Sequence, residues 1–245
     1  MRDMILTGPS TGRCTRASTT TTFPEHTMLS ALARIALGAA ALVATTAGAV
    51  PATAAPASSC SDLDVVFARA TYDIPYVGVA GAWHLAAVRS ALRGVTISSY
   101  GVRYPALVNP SGTGLGADDL VRHLRSTATA CPGTKFVLGG YSQGATVVSI
   151  ALGVRTRLGA GATVPTSLRS RIVAVTTFGN PIGGAGQSIG TSSPVYAERT
   201  REFCTPADVV CRGLVVSPGL GHTGYFYNGD FERAGRFVAG RYNRA

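Results

Sequence analysis

Lys135-Phe136-Val137-Leu138-Gly139-Gly140-Tyr141-Ser142-Gln143-Gly144-Ala145 is the most informative segment of this chain. Lys135 to Gly139 is a short apolar run of strand length, and the residues from Ser142 towards Leu158 have helical character. Between them lies Gly140-Tyr141-Ser142-Gln143-Gly144, a G-x-S-x-G motif in the strand-to-helix context that gives such a motif meaning. Side chains at the two glycine positions would collide with the neighbouring strand and helix. A strained turn there lifts the Ser142 hydroxyl out at the C-terminal edge of a sheet. The start of the following helix favours negative charge developing beside it. With 30 glycines in the chain, a chance G-x-S-x-G is common, so the strand before and the helix after carry the inference.

Outward from this turn the pattern alternates. Asp64 to Ala68 is another apolar run of strand length, and Leu85, Val88 and Leu92 have helical spacing that stops at Gly94. Val95 to Tyr100 alternates and is β-branched, which predicts a strand. Asp118 to Ala130 predicts a helix, capped by Gly116 with the acidic pair Asp118-Asp119 near its start. Arg171 to Phe178 reads as a buried strand ending at Gly179-Asn180-Pro181, Thr200 to Phe203 as a shorter strand, and Asp230 to Ala239 as a terminal helix. With no internal repeat and no linker, the fold class is α/β: a parallel sheet covered on both faces.

A serine hydroxyl is a poor nucleophile near neutral pH and needs a base held by a third group. His84 and His123 precede the serine on predicted helices and read as surface or satisfied core histidines. His222 follows it in the glycine-rich stretch Gly219-Leu220-Gly221-His222-Thr223-Gly224. On sheets that carry such a serine, the acid and then the histidine follow in chain order. Only Glu198, Glu202 and Asp208 lie between Ser142 and His222, and Asp208 alone sits in a loop, bounded by Cys204 and Cys211. Ser142, Asp208 and His222 are therefore the candidate catalytic residues.

The 245 residues are 46% hydrophobic and 14% charged, which excludes a disordered chain. The net charge of +10 raises the question of nucleic acid. Every cation except Lys135 is an arginine, scattered singly or in pairs, with no basic run and no zinc spacing, so no nucleic-acid partner is expected. Met28 to Ala44 is a short positive segment followed by an apolar run, and Ala52-Thr53-Ala54 offers a cleavage site, as in a secretory signal. Thr45, Thr46 and Gly48 interrupt the run before it reaches a membrane-spanning length, so no stable membrane insertion is expected. Residues 1–54 are read as a signal peptide with an overlong start ahead of Met28, and residues 55–245 as one domain of net charge +8. Of five cysteines, Cys14 falls in the removed segment. The remaining four suggest two disulfides in an exported protein, with three pairings open. The seven-residue spacing of Cys204 and Cys211 favours a local bridge and leaves Cys60 with Cys131. Chain entropy assigns the short and long loops about 2.5 and about 4.4 kcal/mol.

Gly140-Tyr141-Ser142-Gln143-Gly144-Ala145, Cys204-Thr205-Pro206-Ala207-Asp208-Val209-Val210-Cys211 and His222 together resemble the cutinase family of serine esterases. The resemblance runs from about Cys60 to the C-terminus. It implies a three-layer α/β hydrolase fold with a central five-stranded parallel sheet and no large lid, and bridges Cys60–Cys131 and Cys204–Cys211. It also implies an oxyanion hole from the backbone N–H of Gln143 and from Thr71, which follows the first strand in Phe67-Ala68-Arg69-Ala70-Thr71. The family usually has Gly in place of Ala70, and Tyr72-Asp73-Ile74-Pro75-Tyr76 replaces a small polar loop. The expected activity is hydrolysis of short- to medium-chain acyl esters or cutin-like polyesters by a secreted, extracellular monomer without cofactor or metal. Acetylxylan or lipid esterase activity on the same triad is the alternative, and a non-catalytic, cell-wall-associated binding module is the alternative of another class. Leu220, Tyr225 and Phe226 near the histidine, with Ile74, Tyr76 and Val77 near Thr71, are candidate groove residues or else ordinary packing.

Overall fold

The apolar runs form five strands in a computed structural model that describes residues 60–108, 110–213 and 221–245. The expected signal segment 1–54, the start at Met28 and Leu220 lie outside the described residues. The strands are β1 (Leu63–Ala68), β2 (Ile97–Gly101), β3 (Lys135–Tyr141), β4 (Ile172–Phe178) and β5 (Thr200–Phe203), all parallel in the order β2-β1-β3-β4-β5. The helices are α1 (Gly78–Ala91), α2 (Pro110–Ala130), α3 (Gln143–Ala151), α4 (Ile189–Ser192), α5 (Val209–Arg212) and α6 (Asp230–Tyr242). Both faces are covered, as expected of a three-layer α/β hydrolase fold. Val66, Phe136 and Leu138 pack with Leu120 and Leu124 of α2 and Val147 and Val148 of α3. Leu63, Val65 and Val137 pack with Leu85 and Val88 of α1 and Val238 of α6. The two-residue period of the strands assigns each side chain to one layer.

Cys60 and Cys131 are bridged just ahead of β1 and β3, the neighbouring strands whose first residues Leu63 and Lys135 are register partners. The Thr134 hydroxyl donates to the Ser61 carbonyl beside it at 2.6 Å.

Three helices depart from the sequence reading. α2 starts at Pro110, two turns before Asp118. Its early glycines are poor helix formers, yet backbone crowding demands them: a Cβ on Gly114 would lie 2.1 Å from the Ala160 carbonyl oxygen. Asp118 and Asp119 therefore sit mid-helix and do not cap it. Asp119 accepts from the Tyr100 hydroxyl at 2.9 Å and the Arg103 N–H at 2.7 Å, tying β2 to α2. α1 begins at Gly78 rather than near Leu85, because the Asp73 carboxylate accepts the Val79 N–H at 3.2 Å and supplies a cap from outside the helix. α3 stops at Ala151 and does not continue towards Leu158, since Gly153 adopts φ +90° and turns the chain.

His84 is a core residue wedged between α1 and the sheet. Its Nε2 lies 2.9 Å from the Thr176 hydroxyl, while Nδ1 is buried without a partner among the described residues. Burial lowers its pKa to about 4. A histidine depressed below its unfolded value of about 6.5 binds its proton first in the unfolded chain. Stability is then fully present above pH ~6.5 and is lost as pH falls towards the folded value. Urea unfolding followed from neutral pH down to about pH 4 should show this loss, on the order of 3 kcal/mol from His84. In His84→Gln, which cannot take the proton, the slope over this interval should flatten; an unchanged slope would assign it to other groups.

Candidate active site

The strand order places the reactive turn. β1 connects towards β2 on one side and β3 towards β4 on the other, so the loops leaving the adjacent ends of β1 and β3 diverge and open a crevice. Thr71 follows β1, and Ser142 follows β3. Ser142 has φ +55° and ψ −121°, a left-handed backbone that costs a non-glycine residue about 1–3 kcal/mol. Its N–H donates to the Phe178 carbonyl at 2.9 Å, and its carbonyl accepts the Ala145 N–H at 2.9 Å. The flanking glycines are required by contact: a Cβ on Gly140 would lie 2.4 Å from the Gly144 carbonyl oxygen, and one on Gly144 1.9 Å from that of Ala68.

Thr71 and Gln143 come together beside Ser142. The Thr71 hydroxyl donates to Gln143 Oε1 at 3.3 Å, and Gln143 Nε2 donates to the Leu107 carbonyl at 2.6 Å, so one side chain spans both lips of the crevice. No hydrogen bond among the described residues takes up the backbone N–H of Thr71 or Gln143. The unusual loop after Ala70 is anchored from below. Arg69 donates to the Val102 and Tyr104 carbonyls at 3.3 and 2.7 Å, the Tyr104 hydroxyl returns a bond to the Arg69 carbonyl at 2.5 Å, and Tyr72, at φ +57°, donates its N–H to the Ala106 carbonyl at 2.7 Å.

Asp208 and His222 form a bonded pair. Nδ1 of His222 lies 2.9 Å from each carboxylate oxygen of Asp208. A carboxylate accepts only, so Nδ1 carries the proton in this bond, and Nε2 is the ring nitrogen left facing away from Asp208. The sequence places Asp208 on a loop; the structure makes it the buried N-cap of α5, with Oδ1 accepting the Val210 N–H at 2.9 Å. The Cys204–Cys211 bridge closes that segment. Tyr225, fully buried, donates its hydroxyl to Asp208 Oδ2 at 2.5 Å. Burial first, and then the bond to Asp208, raise its phenol well above the ordinary value and keep it a donor. Tyr141, next to Ser142, stacks on the imidazole with ring centroids 5.0 Å apart and donates its hydroxyl to the His222 carbonyl at 2.6 Å. Gly179 supplies the remaining space. A Cβ there would lie 2.7 Å from both Asp208 Oδ2 and His222 Cε1, one residue beyond the Phe178 carbonyl that holds Ser142.

The crevice, of about 210 Å³, is lined by Thr71, Ser142 and Gln143 with Val108, Leu158 and Pro181. Of the apolar residues offered by the sequence, the five that are described do not line it. Tyr225 lies buried under Asp208, Val77 and Phe226 pack against the aromatic core, and Ile74 and Tyr76 are exposed. The hydrogen-bonding roles of Tyr225 and Tyr141 are not legible in the sequence, because bonds to a distant carboxylate and carbonyl leave no local pattern. His123 pairs with Asp64 near the start of β1 at 2.7 Å and stacks on Tyr100 of the edge strand β2, which β1 separates from β3 and Ser142. Among the described residues, no group of three or more His, Cys, Asp or Glu is placed to hold a metal ion, and no helix is long and apolar enough to cross a membrane.

The sequence profile described as Cutinase matches residues 59–242, nearly the whole of this assembly. The chain belongs to the cutinase family. A cutinase from Kineococcus radiotolerans is 43% identical over 184 residues, covering 75% of this chain but 63% of that protein, so the chain spans less than two-thirds of that relative's length. A probable carboxylesterase, Culp3, from Mycobacterium tuberculosis is 37% identical over 198 residues, covering 78% of this chain and 74% of the relative. Among solved structures, a Trichoderma reesei cutinase bound to a phosphonate inhibitor superposes with a TM-score of 0.62 at 33% identity, covering 75% of this chain and 77% of the other. Membership of the cutinase family and the central five-stranded parallel sheet agree with the sequence reading.

The backbone contact at the turn makes a direct prediction. Gly144→Ala should lose about 1–3 kcal/mol in urea unfolding, because its methyl group meets backbone rather than a flexible side chain. A variant as stable as wild type would show that α3 can shift away from β1.

Proposed function

We propose that the protein is a serine esterase that hydrolyses carboxylic esters through an acyl-enzyme on Ser142. The observation that carries this reading is the pair of a buried Asp208 and a partly exposed His222, stacked against Tyr141 beside a serine at a strained strand-to-helix turn. His222 Nε2 accepts the Ser142 proton as the hydroxyl oxygen attacks the ester carbonyl. The resulting oxyanion accepts hydrogen bonds from the N–H groups of Gln143 and Thr71, both without internal partners. The imidazolium then protonates the alcohol oxygen as the ester C–O bond breaks. Water, deprotonated by the same imidazole, attacks the acyl-enzyme and releases the acid and Ser142. Asp208 holds the proton-bearing Nδ1 in place and stabilises the charged ring. None of these steps calls on a cofactor or metal.

Short- to medium-chain acyl esters or cutin-like polyesters are the proposed substrates, supported by the cutinase name of the relatives and by the small crevice with Val108, Leu158 and Pro181 in its wall. Export is supported by the signal-like residues 28–54 and by two disulfides, which persist in oxidising compartments.

A serine-directed phosphonate should label the protein once, and Ser142→Ala should abolish labelling and turnover together. His222→Ala should lose on the order of 10³-fold in rate, whereas His123→Gln, whose ring is engaged by Asp64 and Tyr100 rather than by Asp208, stays near wild type. Near-normal turnover in Ser142→Ala would falsify the assignment. Tyr225→Phe should lower kcat about tenfold with little change in KM, since a misplaced carboxylate affects chemistry rather than ground-state binding. A Tyr225→Phe variant with unchanged kcat but lower stability would reduce Tyr225 to a packing residue.

A further inference from the structure

The crevice at Ser142 does not end at its far wall. Leu158 and Pro181 also form the near wall of a second, wider depression of about 700 Å³. No charged side chain lines the first space, whereas the second holds two, Arg155 and Arg157. Both are exposed, and neither guanidinium has an ion pair, hydrogen bond or ring contact among the described residues. Glu202, close behind Asn180, is already engaged by the Asn180 amide and the Ile189 N–H.

The turn that presents the two arginines is tied down by its backbone. Thr156 and Gly159 are bridge partners, the Thr113 hydroxyl donates to the Leu158 carbonyl at 2.6 Å, and Gln187 Nε2 donates to the Arg155 carbonyl at 2.9 Å. An apolar arm leaving Ser142 between Leu158 and Pro181 therefore reaches two guanidinium groups held on a fixed turn and not neutralised by the protein.

We propose that Arg155 and Arg157 form an anion-binding subsite for the remote end of the substrate. The preferred substrate is then an ester whose acyl or alcohol arm ends in a carboxylate or phosphate. This rests on the esterase reading above and narrows its substrate class. A guanidinium fork matches the paired oxygens of either anion. The subsite is open to water, so the gain is moderate and sensitive to salt.

The test measures kcat/KM on two substrate pairs: the para-nitrophenyl monoester of adipic acid against its methyl-capped neutral form, and a monoacylglycerol with and without a distal phosphate. Wild type is compared with Arg155→Gln/Arg157→Gln and with Arg89→Gln/Arg93→Gln. The second variant makes the same change in net charge on and just beyond α1, which packs against α6. At low salt, wild type and the Arg89/Arg93 variant should favour at least one anionic substrate about fivefold over its neutral partner. That preference should vanish in the Arg155/Arg157 variant and at about 1 M salt. Whichever pair shows it identifies carboxylate or phosphate as the recognised group. Equal rates within both pairs, with the neutral esters cleaved, overturn the subsite and leave the esterase reading intact. A preference that survives in the Arg155/Arg157 variant overturns it as well. A wild type inactive on all four substrates overturns the esterase reading and the subsite together.

Discussion

Gly144 sits so close to β1 that a methyl group on its α-carbon would come within 1.9 Å of the Ala68 carbonyl oxygen. That approach brings the start of α3 down onto the end of β1, and it requires the chain to turn at Ser142 within a single residue. Ser142 absorbs the turn by adopting φ +55°. The left-handed conformation is sustained by the Phe178 carbonyl on one side and the first turn of α3 on the other. Strain at Ser142 is thus offset by backbone packing on both sides of it. Loosening the contact would release the serine along with the strain.

The same contact aligns the rest of the site. With α3 pressed against β1, Gln143 faces the loop that leaves β1 and can bond to both Thr71 and Leu107. On the other side of β3, Phe178 holds Ser142, and Gly179 gives the Asp208–His222 pair room to lie over the end of β4. Tyr141 and Tyr225 fill the space between these parts, each using its ring for packing and donating its hydroxyl to a polar group of the site. Asp208 is buried among apolar neighbours and is tolerated there because Val210, Tyr225 and His222 satisfy its oxygens.

Local sequence marked what local chemistry controls. The G-x-S-x-G turn was legible because its glycines and its position between strand and helix are imposed by adjacent backbone. Ser142, Asp208 and His222 could be singled out by chain order, and the disulfides by spacing, since all of these are properties of sequence position. Helix ends were less legible. α2 begins within glycines that propensity opposes, because the Ala160 backbone lies against it. α1 begins at a cap supplied by Asp73, outside the helix.

The sequence by itself determined the alternation of strands and helices, the strand-to-helix turn at Ser142 and the small set of residues proposed to act with it, because these follow from side-chain periodicity and covalent order. Tertiary structure alone decided that the crevice is walled by Val108, Leu158 and Pro181 rather than by Ile74 and Tyr76, and that Tyr225 lies beneath the carboxylate. It also decided that Arg155 and Arg157 line a continuation of the crevice. Those facts depend on which loops meet at the ends of adjacent strands. The strand order fixes that meeting across long separations in the chain, where no local pattern records it.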